Sequence, residues 1–141
     1  MKSYAKIMEE INKIISFCMV KGVQPHELVT SIFENEYQYI ETYKKGEQIH
    51  FILTYSDAHD DGVSVIKMKY VYTNKQQLLS IAQKIDSSNY KVQWDRSEKL
   101  EAMLCELSLK LPNDTSIINK LKEAIPDDYK MMFYPALKIA C

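Results

Sequence analysis

Apolar residues return every third or fourth position between residues 3 and 21. Tyr4, Ile7, Met8, Ile11, Ile14, Ile15 and Cys18 fall on one side, and Lys6, Glu9, Glu10 and Lys13 lie off it. That period predicts an amphipathic helix. Gly22 follows where a left-handed cap closes a helix, and Pro25 with Glu27 opens a second, shorter helix carrying Leu28, Val29, Ile32 and Phe33.

Past residue 36 the period shortens to two. Tyr37, Tyr39, Glu41 and Tyr43 alternate with Gln38, Ile40 and Thr42, and the density of aromatic residues favours a strand over an extension of the second helix. Strands are predicted near 36–43, 48–56 and 63–73. Ile49, Phe51, Leu53 and Tyr55 share one face, as do Ile66, Met68, Tyr70 and Tyr72 on the next strand, while Lys67 and Lys69 mark a wet side. The polar segment Ser56-Asp57-Ala58-His59-Asp60-Asp61-Gly62 reads as a longer acidic loop joining the last two strands.

Thr73-Asn74-Lys75-Gln76 fits a capping box, and Leu78, Leu79, Ile81, Ala82 and Ile85 after it predict a helix over about 74–86. Tyr90, Val92 and Trp94 alternate as a short strand. Asp95-Arg96-Ser97-Glu98 opens a helix over 96–111 with Leu100, Met103, Leu104, Leu107 and Leu111 on one stripe, closed by Pro112. Asp114 or Thr115 caps another, with Ile117, Ile118, Leu121, Ala124 and Ile125 inward. The apolar tail 129–137 reads as a last strand whose end Pro135 keeps away from the sheet centre. The predicted fold is α+β: a single domain over 1–141, an antiparallel β-meander of three to five strands covered by N-terminal and C-terminal amphipathic helices.

Composition changes this picture little. Of the 141 residues, 46% are hydrophobic and 26% charged, enough for one core without staples. No apolar run is long enough to span a bilayer and the N-terminus does not read as a secretory signal, so a cytoplasmic location is expected. Residues 1–62 carry 6 Lys against 10 Asp and Glu, and residues 63–141 carry 12 Lys and Arg against 9. Basic residues are scattered and Arg96 is the sole arginine, which argues against nucleic acid as a partner. Cys18, Cys105 and Cys141 are too few and too far apart for a zinc knuckle or a disulfide framework, and Cys18 and Cys105 are expected on buried helix faces.

Gly22, Gly46 and Gly62 are the only glycines, so no phosphate-cradling loop, dinucleotide fingerprint or nucleophile elbow can be written from this chain. Asp57, His59, Asp60 and Asp61, with His50 on the preceding strand, supply ligand types suited to a divalent ion, although neighbouring loop residues tend to point apart. Seven of the ten tyrosines, Tyr37, Tyr39, Tyr43, Tyr55, Tyr70, Tyr72 and Tyr90, lie near the predicted sheet, and tyrosine is enriched at recognition surfaces.

The expectation is a non-catalytic cytoplasmic protein of the inhibitor, immunity-protein or chaperone type. It would act by stoichiometric association through an aromatic sheet face and the acidic hairpin. Tyr37, Tyr39, Glu41, Tyr43, Asp57, His59, Asp60 and Asp61 are the binding candidates, and Glu34 and Glu36 add to an acidic surface suited to a basic protein partner. No catalytic residue, metal ligand or cofactor is assigned, and no membrane partner is expected. Two alternatives stand beside it: a small metal-dependent hydrolase using Asp57, His59, Asp60 and Asp61, and a self-associating structural protein with a homodimer face on 96–111 or 131–137.

Overall fold

The structure is a computed structural model that describes residues 4–138. Its class is α+β, with five α-helices and one five-stranded antiparallel sheet. The chain divides into two compact units. One is helical and draws on both ends of the chain, residues 4–20 and 98–138; the other holds the sheet, residues 21–97.

In the helical unit, α1 (Tyr4–Met19) buries Ile7, Ile11 and Ile14 at the predicted spacing. Leu107 of α3 (Arg96–Leu109), Leu121 of α4 (Thr115–Ala124) and Ile125 join them. Asp114 caps α4 by accepting the Ser116 N–H at 2.9 Å. The tail departs from expectation: Lys130–Ala136 is a helix, α5, not a strand. Phe133, Tyr134 and Leu137 fall at i, i+1 and i+4, so one helical turn delivers all three to the core, and the Tyr134 hydroxyl donates to the Lys122 carbonyl at 3.0 Å. Those residues of the proposed dimer face are therefore interior. Cys105 is exposed rather than buried, and Cys18 is half-buried with its thiol 4.0 Å from Met132 Sδ. Cys141 lies outside the described residues.

The sheet unit opens with α2 (Pro25–Leu28) and a 3-10 turn (Val29–Phe33), then runs β1 (Tyr37–Lys45), β2 (Gln48–His59), β3 (Gly62–Thr73), β4 (Leu78–Ile85) and β5 (Lys91–Asp95) in that spatial order. The meander is open, so β1 and β5 are its edges. Phe51, Leu53, Tyr72 and Leu78 form the core of one face, with Val23, Leu28, Tyr37, Ile40, Ile49, Met68, Tyr70, Ile81 and Trp94 against them.

Residues 78–85 form a strand, not the helix predicted for 74–86. Tyr72 pairs with Leu78 but Tyr70 pairs with Ile81, because a bulge intervenes. The extra residue puts Leu78 and Ile81 on the same face three positions apart, which in sequence mimics a helical period. The Thr73 hydroxyl, expected to cap a helix, accepts the Lys75 and Gln77 N–H groups and so closes the β3–β4 turn.

Short-range bonds fasten residues 21–24 to that turn. Leu78 N–H donates to the Lys21 carbonyl at 2.8 Å, Gln24 Nε2 to Gln76 at 2.9 Å, and the Tyr72 hydroxyl to Val23 at 2.7 Å. Gly22 is required there: its φ is +91°, and a Cβ would stand 2.9 Å from Leu78 Cβ. Arg96 is buried, donating from Nε to the Leu78 carbonyl at 2.6 Å.

Candidate functional site

The acidic segment is not a loop. β2 continues to His59, with Asp57 opposite Ser64, Ala58 opposite Val63 and His59 opposite Gly62, so only Asp60 and Asp61 make the turn. The physical reason is that strand pairing satisfies backbone groups at every residue up to the tip, which an open loop would leave to water. Because β1 first pairs at Tyr55 and β4 last pairs at Ile66, residues 56–65 run on past their neighbours as a two-stranded ribbon.

His59 holds this ribbon in shape. Its Nδ1 accepts the Asp61 N–H at 3.2 Å and its Nε2 stands 2.8 Å from the Ser64 hydroxyl, so both ring nitrogens have partners within the hairpin. Among the described residues no three His, Cys, Asp or Glu side chains converge on a point where a metal ion could sit.

Other carboxylates collect at the same end of the sheet. The Glu36 carbonyl accepts the Ser56 N–H at 2.8 Å, which sets Glu34 and Glu36 beside the root of the ribbon. On the other flank the Asp86 carboxylate accepts the Val65 N–H at 2.8 Å. Phe33, at the end of the 3-10 turn leading into this corner, is 89% exposed. The opposite end, at the β1–β2 and β3–β4 turns, carries Lys44, Lys45 and Lys75 against Glu47.

The tyrosine candidates part company. A bulge between Tyr37 and Tyr39 leaves Tyr37 opposite Tyr55 on the packed face, their rings 5.2 Å apart. Tyr39, Glu41 and Tyr43 share the other face and are all exposed. Tyr43 is held against His50, with ring centroids 5.0 Å apart and its hydroxyl 3.5 Å from Nδ1. Burial first, then Lys69 and Lys45, lowers the pKa of His50 below the ordinary imidazole value, which favours the neutral ring.

The face expected to be wet is only partly so. His50, Ile52, Thr54, Val71 and Ala82 on it are buried, while Lys69 Nζ lies 4.5 Å and Lys84 Nζ 5.8 Å from the Tyr90 ring centroid. Burial is the main cause that raises the Tyr90 pKa, with nearby Lys67 opposing it. Lys67 and Lys69 are half-buried on this face, their stems lying along the sheet.

In the helical unit a groove of about 200 Å³ is lined by Glu10, Lys13, Met103, Glu106 and Lys110, with Lys110 and Glu10 paired at 3.1 Å. Its lining carries two acidic and two basic side chains. All three histidines belong to the sheet unit and both described cysteines to the helical unit, so neither unit sets a thiol beside an imidazole.

What the fold and site define is a class: an α+β protein whose open sheet carries an acidic ribbon at one end and a tyrosine-bearing edge strand. Comparison of the chain with protein-family models, with curated proteins and with solved structures gave no match. No helix among the described residues is long and apolar enough to cross a membrane.

Proposed function

We propose that this chain is a protein-binding module with no catalysis of its own, and that the acidic end of the sheet is the surface it offers to a basic partner. The observation that carries the reading is the ribbon at 56–65. It extends beyond the paired strands with Asp57, Asp60 and Asp61 exposed, next to Glu34, Glu36, Asp86 and an exposed Phe33. Carboxylates of one sign speed encounter with a positively charged protein, and an aromatic side chain left in water among them supplies the apolar anchor such interfaces need. Inhibitor, immunity and chaperone roles all fit a module of this kind and differ only in what is occupied. A cytoplasmic setting belongs to the proposal, and the free thiols of Cys18 and Cys105 suit a reducing compartment.

The test is affinity capture from the native host at low and at moderate salt, with the wild-type chain and with Asp57, Asp60 and Asp61 all changed to Asn. The wild type is expected to retain one protein at stoichiometric amounts, and the triple variant to lose at least tenfold in affinity while its salt dependence flattens. Capture unaffected by the triple change, or no stoichiometric protein at either salt, rejects the reading.

A further inference from the structure

We propose that this chain pairs with a second copy of itself along the outer edge of β1, antiparallel and centred on Tyr43, so that Glu41 of each copy meets Lys45 of the other. The inference goes beyond the reading of the acidic end and uses none of the residues there.

β1 is nine residues long and pairs only with β2, so its outer row of backbone donors and acceptors faces away from the sheet. Such a row is a template for another strand unless something blunts it. The other edge, β5, is five residues long and leads straight into α3. Lysine is a usual guard of an open edge, and Lys44 and Lys45 stand exposed at the end of this one. They favour an added strand that brings a carboxylate to meet them.

The hairpin decides which backbone groups are open. The two-residue turn Gly46-Glu47 closes on the pair Lys45–Gln48, so Lys45, Tyr43 and Glu41 direct their N–H and C=O groups to β2, and Thr42 and Lys44 direct theirs outward. On an added antiparallel strand, the residues opposite 41, 43 and 45 are therefore the non-hydrogen-bonded partners, whose side chains approach most closely.

Two copies related by a two-fold axis through the sheet keep matching faces together, so odd positions meet odd and even meet even. Among registers that pair at least five residues of β1, those centred on Tyr39, Ile40 or Glu41 carry the bulge between Tyr37 and Tyr39 into the interface, and the last also sets Glu41 against itself. Centring on Thr42 sets Lys44 against half-buried Ile40. Centring on Tyr43 stays clear of the bulge and sets Glu41 against Lys45 twice, Thr42 against Lys44 twice and Tyr43 against Tyr43. Opposite charges and an aromatic pair thus occupy the close positions, and the outward groups of Thr42 and Lys44 bond one another across the axis. Tyr43 is already held by its stacking on His50, so part of the ordering is in place before the copies meet.

The pairing uses the long edge of both copies, so assembly closes at two. Tyr43 lies opposite His50, and the tip of the ribbon at His59 is nine residues further along β2. The axis therefore sends the two ribbons in opposite directions, with tips roughly 60 Å apart at about 3.3 Å per residue.

The experiment is sedimentation velocity of the full chain over a range of concentrations, with hydrogen exchange on monomer and dimer. The wild type is expected to form a reversible dimer in which the amides of Thr42 and Lys44 exchange more slowly than in the monomer. Glu41→Lys alone and Lys45→Glu alone, both at exposed positions, turn the two facing pairs into like charges. Each is expected to weaken the dimer at least tenfold while keeping its circular dichroism spectrum. An equimolar mixture of the two single variants restores opposite charges at both pairs, as does the double variant Glu41→Lys/Lys45→Glu, and both are expected to regain the dimer. A chain monomeric at every concentration, a dimer indifferent to either single change, or a mixture as weak as its components overturns the proposal. So does a dimer whose Thr42 and Lys44 amides exchange as freely as the monomer's, or protection of those amides only when another protein of the host is added. The Asp57/Asp60/Asp61→Asn chain is expected to dimerise as the wild type does, and loss of the dimer there overturns the pairing through β1.

Discussion

Phe133 and Phe33 are the same side chain in opposite circumstances. In the helical unit Phe133 is 0% exposed, in a core with Ile7, Ile11, Leu121 and Leu137; in the sheet unit Phe33 stands 89% exposed beside Glu34. Burying a large apolar side chain contributes roughly 1.5–3 kcal/mol to folding, and leaving it in water contributes almost none. The difference separates side chains that hold this protein together from side chains left in water. The helical unit turns even its terminal aromatic residues inward, whereas the sheet unit leaves Tyr39, Tyr43, Val29, Ile32 and Phe33 at its surface.

The largest expected effect tests that contrast directly. Phe133→Ala should lower stability by about 3–5 kcal/mol, through lost burial and the cavity left behind. Phe33→Ala should stay within about 0.5 kcal/mol, as surface substitutions do. Guanidinium denaturation followed by far-ultraviolet circular dichroism measures both, and equal costs would break the comparison.

Tyr72 sharpens it inside the sheet unit. Its hydroxyl donates to the Val23 carbonyl, and Tyr72→Phe leaves that acceptor without its partner, at a cost of about 1–3 kcal/mol. Burial, with smaller contributions from Tyr70 and Glu27, pushes its phenol up to about 12. The folded chain therefore keeps a proton that the unfolded chain releases from pH 10 upward. The stabilisation from this group is fully present below pH 10 and declines as pH rises towards 12. Stability measured from pH 8 to 12 should show that decline, and it should be shallower in Tyr72→Phe.

The smallest effect runs the other way. Thr54 is 1% exposed, and its hydroxyl has no hydrogen-bond partner among the described residues. Thr54→Val keeps the shape and removes the orphan, so stability should rise by up to about 1 kcal/mol in the same denaturation assay. A loss there would mean that the hydroxyl is satisfied by water.

Much of the fold was legible because the periods were clean. The 3.6-residue spacing of Ile7, Ile11 and Ile14 and the alternation of Phe51 with Leu53 are what the structure buries. Legibility failed where a period was interrupted or too short to be distinctive. The bulge between Leu78 and Ile81 turned a strand into an apparent helix, and the run Met131-Met132-Phe133-Tyr134 carried no alternation to separate strand from helix. At the site, Asp57, His59, Asp60 and Asp61 were recognisable as an exposed acidic group. That two of them stand on a strand depended on their pairing with Gly62 and Ser64, three and seven residues further on, which composition does not reveal. The bulge after Tyr37 is the same kind of omission: it removed one tyrosine from the exposed triplet and left Tyr39, Glu41 and Tyr43 together.

The placement of Arg96 has a chemical consequence. Its guanidinium lies inside the molecule on the carbonyls of Leu78 and Lys21, and every other strongly cationic side chain in the sequence is a lysine. Exhaustive amine acetylation therefore turns the exterior into a polyanion, while the one cation resistant to that reagent stays seated on its carbonyls.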